Sequence, residues 1–304
     1  MPTIVVIINA GSGADSDTSK LKEFLAEVFG ANGVQAKIIV ADNSSKLVEI
    51  AESAALGDYK IVVAGGGDGT ISAVAAALVG TNKTLGVLPL GTLNHFSKDL
   101  GIPQDLAGAV QIILDGNTAA IDVGEVNGQI FINNSSIGLY PNIVRRRERQ
   151  QRLGRSKWYA AFWATLAVLR RYPFFAVRLN LEDETVVART PFVFVGNNEY
   201  EMDTLNIGAR KCLDAGALSV YLLRRTGRTG LVRLALRSLF GLLRQAKDFD
   251  AFRTNQVTIE TRSKKTLLVA FDGEVKLMQA PLYYQTRPKA LRVLVPKENI
   301  EVKG

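Results

Sequence analysis

The sequence predicts an α/β domain with a mainly parallel sheet, followed by a second, β-rich domain. Three observations support this prediction: strand and helix patterns alternate over the first 115 residues, the pattern changes near residue 118, and mainly strand-like runs follow. Alternating strands and helices are typical of parallel sheets, whereas successive strands joined by short turns are typical of antiparallel ones.

The elements of the first domain follow from the spacing of apolar residues. The residues at the i, i+3, i+4, i+7 and i+8 spacing of one helix face are Leu21, Phe24, Leu25, Val28 and Phe29. A second helix is expected to begin after Ser44 and Ser45, two candidate N-caps. Short apolar runs predict strands at 3–9, 34–40, 60–64 and 84–90, with further helices from about residues 71, 93 and 104.

The second domain is expected to begin with a hairpin. Asn127-Gly128 separates two strand-like runs, and this dipeptide is the strongest short hairpin signal. Further strands are expected at 174–181, 185–195, 217–223, 255–261, 266–271 and 291–295, with helices at 156–171 and 229–247. We therefore expect domains at 1–120 and 121–288, with the segment 289–304 returning to the first.

Composition limits the classes of function. The chain has 304 residues, of which 47% are hydrophobic, so it can bury a sizeable core. One cysteine, Cys212, excludes an internal disulfide, and one histidine, His95, excludes a site built from several histidines. His95 itself is expected to pack or to cap a helix. The longest apolar run, 158–169, has 12 residues, too few to span a bilayer. We expect a cytoplasmic protein.

The net charge of +8 is unevenly distributed. Residues 144–171 carry nine Arg or Lys and one acid, and residues 224–247 carry seven and no acid. Such patches indicate phosphates on a membrane surface or on nucleic acid, or simply a solvated face. The basic segments lack the interleaved aromatic residues and the known modules of a nucleic-acid binder, so nucleic acid is not an expected partner. Peripheral contact with an anionic membrane is expected, with Arg233, Arg237 and Arg244 on one helical face.

Three glycine-bearing turns follow strands of the first domain: NAGSG (9–13), GGGDGT (65–70) and GTLN (91–94). The carboxyl ends of parallel strands meet at one edge of a sheet, so these turns are expected to converge where such sheets bind ligands. Glycines permit positive φ and close approach to the backbone, which favours a phosphate site. A plain connection, with Asp68 or Thr70 capping the helix, is the alternative. The GGGDGT turn lacks the lysine of a Walker A loop and the third glycine of GxGxxG, which argues against the P-loop and dinucleotide-binding folds.

A resemblance to a known family rests on three motifs in order. GGGDGT, PLGTLNHFSKDLGIP (89–103) and FDGE (271–274) resemble the diacylglycerol kinase catalytic family, which includes bacterial lipid kinases and the sphingosine and ceramide kinases. VGNNEYE (195–201) and GALSVYLLRR (216–225) resemble further segments of the bacterial enzymes. The similarity covers nearly the whole chain. NAD kinases also have GGDGT, so the set of three motifs is more specific to the family than GGDGT alone.

The resemblance implies a three-layer nucleotide-binding domain, a C-terminal β-sandwich with the active site between them, and transfer of the γ-phosphoryl group of ATP, with Mg²⁺, to a membrane lipid. It implies Glu274 as the general base, and Asp68 orienting phosphates, metal or acceptor; without the other motifs, Asp272-Gly273 would be a simple turn. The nucleotide would contact Asn9, Gly11, Ser12, Gly13, Gly65, Gly66, Gly67, Asp68, Gly69, Thr70, Thr92 and Asn94.

Two positions depart from the family pattern. Asn9 is followed by Ala10 where the family has proline, and Ala215 precedes Gly216 where the family's structural magnesium site has aspartate. Asp214, one residue earlier, is the candidate metal ligand. Diacylglycerol is the expected substrate, with a sphingoid base, a ceramide-type lipid or another lipid alcohol as alternatives. A non-catalytic regulator that binds a nucleotide or lipid and has the same fold is a further alternative. The sequence leaves the oligomeric state open, and a homodimer is one of the alternatives.

Overall fold

The computed structural model of the protein describes residues 3–11, 18–139, 141–142, 174–182, 184–200, 210, 212–223, 249–262 and 265–301. The chain divides into two compact units, the first of Met1–Val123 with Pro288–Gly304 and the second of Gly124–Arg287. The two basic segments, with the helices expected at 156–171 and 229–247, lie outside the described residues. None of the described helices has the length and hydrophobicity needed to span a bilayer.

The first unit is an α/β sheet structure. Its strands are β1 (Ile4–Asn9), β2 (Ala36–Ala41), β3 (Ile61–Gly66) and β4 (Thr84–Pro89). Its helices are α1 (Thr18–Ala31), α2 (Ser44–Leu56), α3 (Asp68–Leu78), α4 (His95–Asp99), α5 (Leu106–Asp115) and α6 (Glu298–Glu301). The strand order is β2-β1-β3-β4, and every pairing in this order is parallel.

The predicted mainly parallel sheet is therefore confirmed. In its centre, Ile8 of β1 lies opposite Gly65 of β3, and Gly66 lies opposite Pro89 of β4. These strands are buried along almost their whole length, as their continuous apolar runs predict. The register aligns the carboxyl ends of three strands at one edge of the sheet.

Two expectations about the helices need correction. The N-cap of α2 is Asn43, whose side chain accepts a hydrogen bond from Lys46 N, and not Ser44 or Ser45, which already belong to the helix. Asparagine competes well with serine as an N-cap, and it precedes both serines along the chain. On α1, Leu25 and Phe29 are buried, but Phe24 of the expected apolar face is 36% exposed.

Two strands link the units. The chain leaves the first unit within β5 (Thr118–Val126) and returns to it within β16 (Leu282–Leu294). The last residues of β16 pair in parallel with β4, placing Arg292 opposite Thr84.

The second unit contains two antiparallel sheets, so the β-sandwich is confirmed. Its further strands are β6 (Gln129–Phe131), β7 (Asn134–Gly138), β8 (Phe175–Asn180), β9 (Thr185–Thr190), β10 (Phe192–Asn197), β11 (Leu218–Leu223), β12 (Phe249–Thr254), β13 (Gln256–Thr261), β14 (Thr266–Phe271) and β15 (Glu274–Gln279). One sheet has the order β12-β11-β10-β7-β14-β15, and β9, β8, β13 and the start of β16 form the other. Both sheets contribute to one core, which includes Phe131, Val195, Val220, Ile259 and Tyr284.

The hairpin predicted at Asn127-Gly128 is confirmed, but the single strand predicted at 185–195 is wrong. Both turn residues have positive φ, and Val126 pairs with Gln129 across the turn. The segment 185–195 is divided at Pro191, so that β9 pairs with β8 and β10 pairs with β7 and β11. Proline lacks the N–H that a continuous ladder needs, and here it marks the change from one sheet to the other.

The burial of α1 gives a stability prediction. We expect Leu25→Ala to lower the free energy of unfolding by about 2–5 kcal/mol, because Leu25 is fully buried. The matched control is Phe24→Ala, which should cost less, about 1–2 kcal/mol, because the ring is 36% exposed to solvent. Urea unfolding followed by circular dichroism measures both. Equal losses would contradict the orientation of α1.

Candidate functional site

The three glycine-bearing turns of the first unit do converge. The side chain of Asn9, at the end of β1, donates a hydrogen bond to Thr70 Oγ1 in the first turn of α3, at 3.0 Å. Leu90, after β4, donates its N–H to Gly66 O at the end of β3, at 3.1 Å. The turns after β1, β3 and β4 are therefore bonded to one another.

Glycine is required here by close approach of backbone, and not by positive φ. The expected positive φ is wrong, because the glycines with positive φ do not include those of 65–69, and Gly67 itself has φ −84°. Instead, a Cβ on Gly91 would lie 2.5 Å from Gly67 Cα, and a Cβ on Gly66 would lie 2.6 Å from the Thr70 side chain. The turns after β3 and β4 fit together only because side chains are absent.

No side chain caps the N-terminus of α3. Gly67 is the N-cap and makes no side-chain capping bond, so the alternative in which Asp68 or Thr70 caps the helix is not observed. Asp68 Oδ1 instead accepts a hydrogen bond from Phe96 N at the start of α4, at 3.1 Å. Gly69 is exposed, and a Cβ there would meet nothing within 4 Å. A helix N-terminus with unobstructed glycine is a surface suited to anions.

Asn94 shapes the turn after β4. It lies in the left-handed region, with φ 52°, and its side chain is buried. Its Oδ1 accepts from Gly91 N at 3.0 Å, while its Nδ2 donates to Pro89 O and Gly91 O. Asparagine tolerates this conformation better than other residues with side chains. The side chain of Asn94 therefore holds its own loop, and Thr92 lies exposed within that loop.

The other residues expected at this edge lie as follows. Gly11 donates its N–H to Asn9 Oδ1 at 3.1 Å and is exposed. Gly65 is buried between Ile8 and Leu90, so its contribution is to packing. Ser12 and Gly13 lie outside the described residues. His95 is exposed at the first position of α4, so of the two roles expected for it, packing or capping, packing in the interior is not observed.

Glu274 belongs to the second unit and begins β15. The Asp272-Gly273 pair forms a two-residue hairpin turn in which both residues have positive φ, 46° and 90°, and Phe271 pairs with Glu274 across it. These angles are those of a type I′ turn, which Asp-Gly favours. The Glu274 side chain is exposed at the end of this turn.

Asp272 was not singled out by the sequence, although its carboxylate has more polar contacts than a turn requires. Its Oδ2 accepts from Ile132 N at 2.7 Å, and its Oδ1 accepts from Asn133 N at 2.9 Å and Asn134 N at 3.1 Å. The Asp272 N–H donates in turn to Asn134 O at 3.0 Å. Its sequence signals were the Asp-Gly pair and the FDGE motif, and neither pointed to these partners, which lie almost 140 residues earlier.

Asp214 does not have the surroundings of a carboxylate-rich metal site. It is half-buried in the loop before β11, where Ala215 N donates to Asn198 Oδ1 at 2.9 Å. The described part of the chain contains no group of three or more His, Cys, Asp or Glu side chains that could hold a metal ion. The structural magnesium site that the resemblance implied needs one aspartate and backbone carbonyls, so Asp214 stays the candidate ligand and no chemistry is assigned to it.

Two family models match this chain. The diacylglycerol kinase catalytic domain matches residues 3–126, and the YegS C-terminal NAD kinase beta sandwich-like domain matches residues 136–295. The chain belongs to the diacylglycerol kinase catalytic domain family, with a YegS-like C-terminal domain. Membership of this lipid kinase family implies lipid kinase activity and the use of ATP.

Individual relatives agree with this assignment. The chain is 26% identical over 301 residues to a diacylglycerol kinase of Bacillus subtilis (strain 168), an alignment that covers 97% of each chain. It is 38% identical over 146 residues to a protein named "Probable lipid kinase YegS-like" from Klebsiella pneumoniae (strain 342), covering 47% of this chain and 48% of the relative. A crystal structure of a diacylglycerol kinase from Bacillus anthracis has the same fold, with a TM-score of 0.69, 20% identity and coverage of 97% of both chains.

The close approach of the two turns gives a second prediction. We expect Gly91→Ala to lower the free energy of unfolding by about 1–3 kcal/mol, because its Cβ would overlap Gly67 Cα and force the turns apart. The control is Gly69→Ala, whose Cβ has open space on a helix, where alanine is the better helix former. Thermal unfolding compares them. A Gly91→Ala protein as stable as Gly69→Ala would contradict the observed contact.

Proposed function

We propose that this protein is an ATP- and Mg²⁺-dependent lipid kinase that transfers the γ-phosphoryl group to a hydroxyl of a membrane lipid, with diacylglycerol the first candidate. The observation that carries the proposal is the bonded set of turns after β1, β3 and β4, in a chain of the diacylglycerol kinase catalytic domain family. The relative from Bacillus subtilis, aligned over 97% of both chains, is named a diacylglycerol kinase.

The turns are suited to nucleotide phosphates by their backbone. In the proposed complex, the phosphates lie against Gly67, Gly69 and the first turn of α3, where the N–H groups and the helix dipole favour negative charge. Asn9, Gly11, Ser12 and Gly13 contact the nucleotide, and Thr92 donates from its exposed hydroxyl. Asp68 orients the site through its bond to Phe96 N. Magnesium bound with the phosphates would supply charge neutralisation.

Glu274 is proposed as the general base. Its exposed carboxylate, presented by a tight hairpin, accepts the proton of the lipid hydroxyl as the oxygen attacks the γ-phosphorus. A phosphorus–oxygen bond to the lipid forms while the bond to ADP breaks, so that the products are the lipid phosphate, ADP and a proton. Phosphoryl transfer depends mainly on positioning and charge stabilisation, and one proton acceptor is sufficient.

A direct experiment would identify the lipid that accepts the phosphoryl group. Purified protein is incubated with labelled ATP, Mg²⁺ and separated fractions of extracted membrane lipids, and the labelled products are identified. Diacylglycerol is the expected acceptor. Labelling confined to a sphingoid base or another lipid alcohol would replace that substrate, and no labelled lipid from a folded preparation that binds ATP would contradict the proposed function.

A third prediction concerns Glu274. We expect Glu274→Gln to reduce kcat about 10²- to 10⁴-fold, the usual cost of losing a general base, with ATP affinity and the melting temperature nearly unchanged because the side chain is exposed. Initial rates with diacylglycerol and calorimetric titration with ATP measure these quantities. Turnover within a few-fold of the unaltered protein would show that Glu274 is not the base.

Peripheral docking on an anionic membrane is proposed for the basic segments. Exposed Arg and Lys near an anionic surface contribute on the order of 1 kcal/mol each. The fourth prediction is that reversing Arg233 and Arg237 to Glu weakens binding to phosphatidylserine-containing vesicles and lowers activity on vesicle-borne lipid, with salt producing a similar loss.

The control is Lys22→Glu with Lys46→Glu, which changes the net charge equally at two exposed positions of the first unit. Activity of the arginine variant on a short-chain, water-soluble lipid should survive. Equal losses on both substrates would show that the arginines serve folding or catalysis, and the docking proposal would be abandoned.

A further inference from the structure

One peptide group of the second unit is held between two oppositely charged side chains. The carbonyl of Ile132 accepts from Arg210 Nη1 at 2.6 Å and from Asn197 Nδ2 at 3.0 Å. The N–H of the same peptide, which belongs to Asn133, donates to Asp272 Oδ1 at 2.9 Å. In a trans peptide the C=O and N–H point in opposite directions. Arg210 and Asp272 therefore contact opposite sides of one peptide plane.

The charges are placed as the peptide dipole requires. The guanidinium lies at the negative, carbonyl end and the carboxylate at the positive, amide end, so each charge strengthens the other's hydrogen bond through the peptide. Hydrogen bonds to ionised groups are stronger than neutral ones. Arg210 is 8% exposed and its second nitrogen donates to Asn133 Oδ1 at 3.0 Å, so the bonds form largely away from water. The segment 132–134 is consequently fixed from both sides.

The hairpin turn alone does not require an acidic residue at position 272. Asparagine favours a type I′ turn as well as aspartate does. Only a carboxylate, however, offers two acceptor oxygens to the three N–H groups of Ile132, Asn133 and Asn134. An asparagine amide would direct an NH₂ at one or more of these donors. The carboxylate therefore serves to attach the turn to the segment 132–134.

This attachment also constrains the position of Glu274. The turn has two residues, and Glu274 follows it directly, so the position and direction of its backbone are set by Asp272 and Gly273. We infer that Asp272, supported by Arg210, is a positioning residue that holds Glu274 in its productive place. This inference rests on the proposed function, in which Glu274 is the base. A displacement of about 1 Å in a reacting group can cost on the order of 100-fold in rate.

The first test separates positioning from folding. Asp272→Asn should lower kcat about 10- to 100-fold at a temperature well below its own melting point, with KM for ATP within about two-fold. The matched control is Lys276→Gln, which removes one charge from the same hairpin at an exposed position and should leave kcat unchanged. Arg210→Lys, which keeps the charge but replaces the two donor nitrogens of the guanidinium by one, should lower kcat in the same direction.

The second test asks whether Asp272 acts through Glu274. If it does, the double variant with Asp272→Asn and Glu274→Gln should be no slower than Glu274→Gln alone, within about two-fold, because no base remains to be positioned. Multiplying losses would overturn the inference. Normal activity in Asp272→Asn, beside a large loss in Glu274→Gln, would overturn it and leave the proposed function standing. Normal activity in Glu274→Gln would remove both the proposed base and the inference.

A third measurement needs no activity. Hydrogen exchange of the amide protons of Ile132, Asn133 and Asn134 should be slow in the unaltered protein and at least about ten-fold faster in Asp272→Asn, with unchanged exchange in β11 as the internal reference. Unchanged exchange at all three amides would show that the carboxylate does not hold this segment, which would overturn the inference.

Discussion

The candidate nucleotide site depends on one constraint, the parallel register of β1, β3 and β4. Because Ile8 lies opposite Gly65 and Gly66 lies opposite Pro89, three strands end at the same level. Three turns then have to share a small area, and this crowding explains their composition. Side chains at Gly66 or Gly91 would overlap a neighbouring turn or helix. The glycines are thus first a packing requirement of the sheet edge, and the accessible backbone follows from it.

Polar side chains in both units serve to join segments. Asn9 joins the turn after β1 to α3, Asp68 joins α3 to α4, and Asn94 closes its own loop. Asp272 does the same for a hairpin in the second unit, through backbone N–H groups. Residues that a motif would assign to direct ligand contact therefore have an observed task in shaping the loops. For Asp68 and Asn94, loss of activity on substitution would not by itself demonstrate contact with a ligand.

The sequence predicted the parts of the structure that local patterns determine. Continuous apolar runs predicted the parallel strands, and Asn127-Gly128 predicted a hairpin, because burial on both faces and positive φ leave local signatures. Convergence of the turns also followed, since it is a property of parallel sheets. The division at Pro191 was missed because the flanking runs are similarly apolar, although proline was the available signal. Arg210 and its partners could not be found from sequence, because Ile132 lies 78 residues away.

The path of β16 has a consequence for synthesis of the protein. Thr84 of β4 pairs with Arg292, a residue made more than 200 positions later. While the chain emerges from a ribosome, the edge of β4 that receives β16 stays without its partner strand until residues 292 and 293 have been translated. Unpaired strand edges invite association with other chains. A nascent chain stalled before residue 288 thus lacks part of the sheet that carries the glycine turns, and the first unit is completed only after the second unit has been translated.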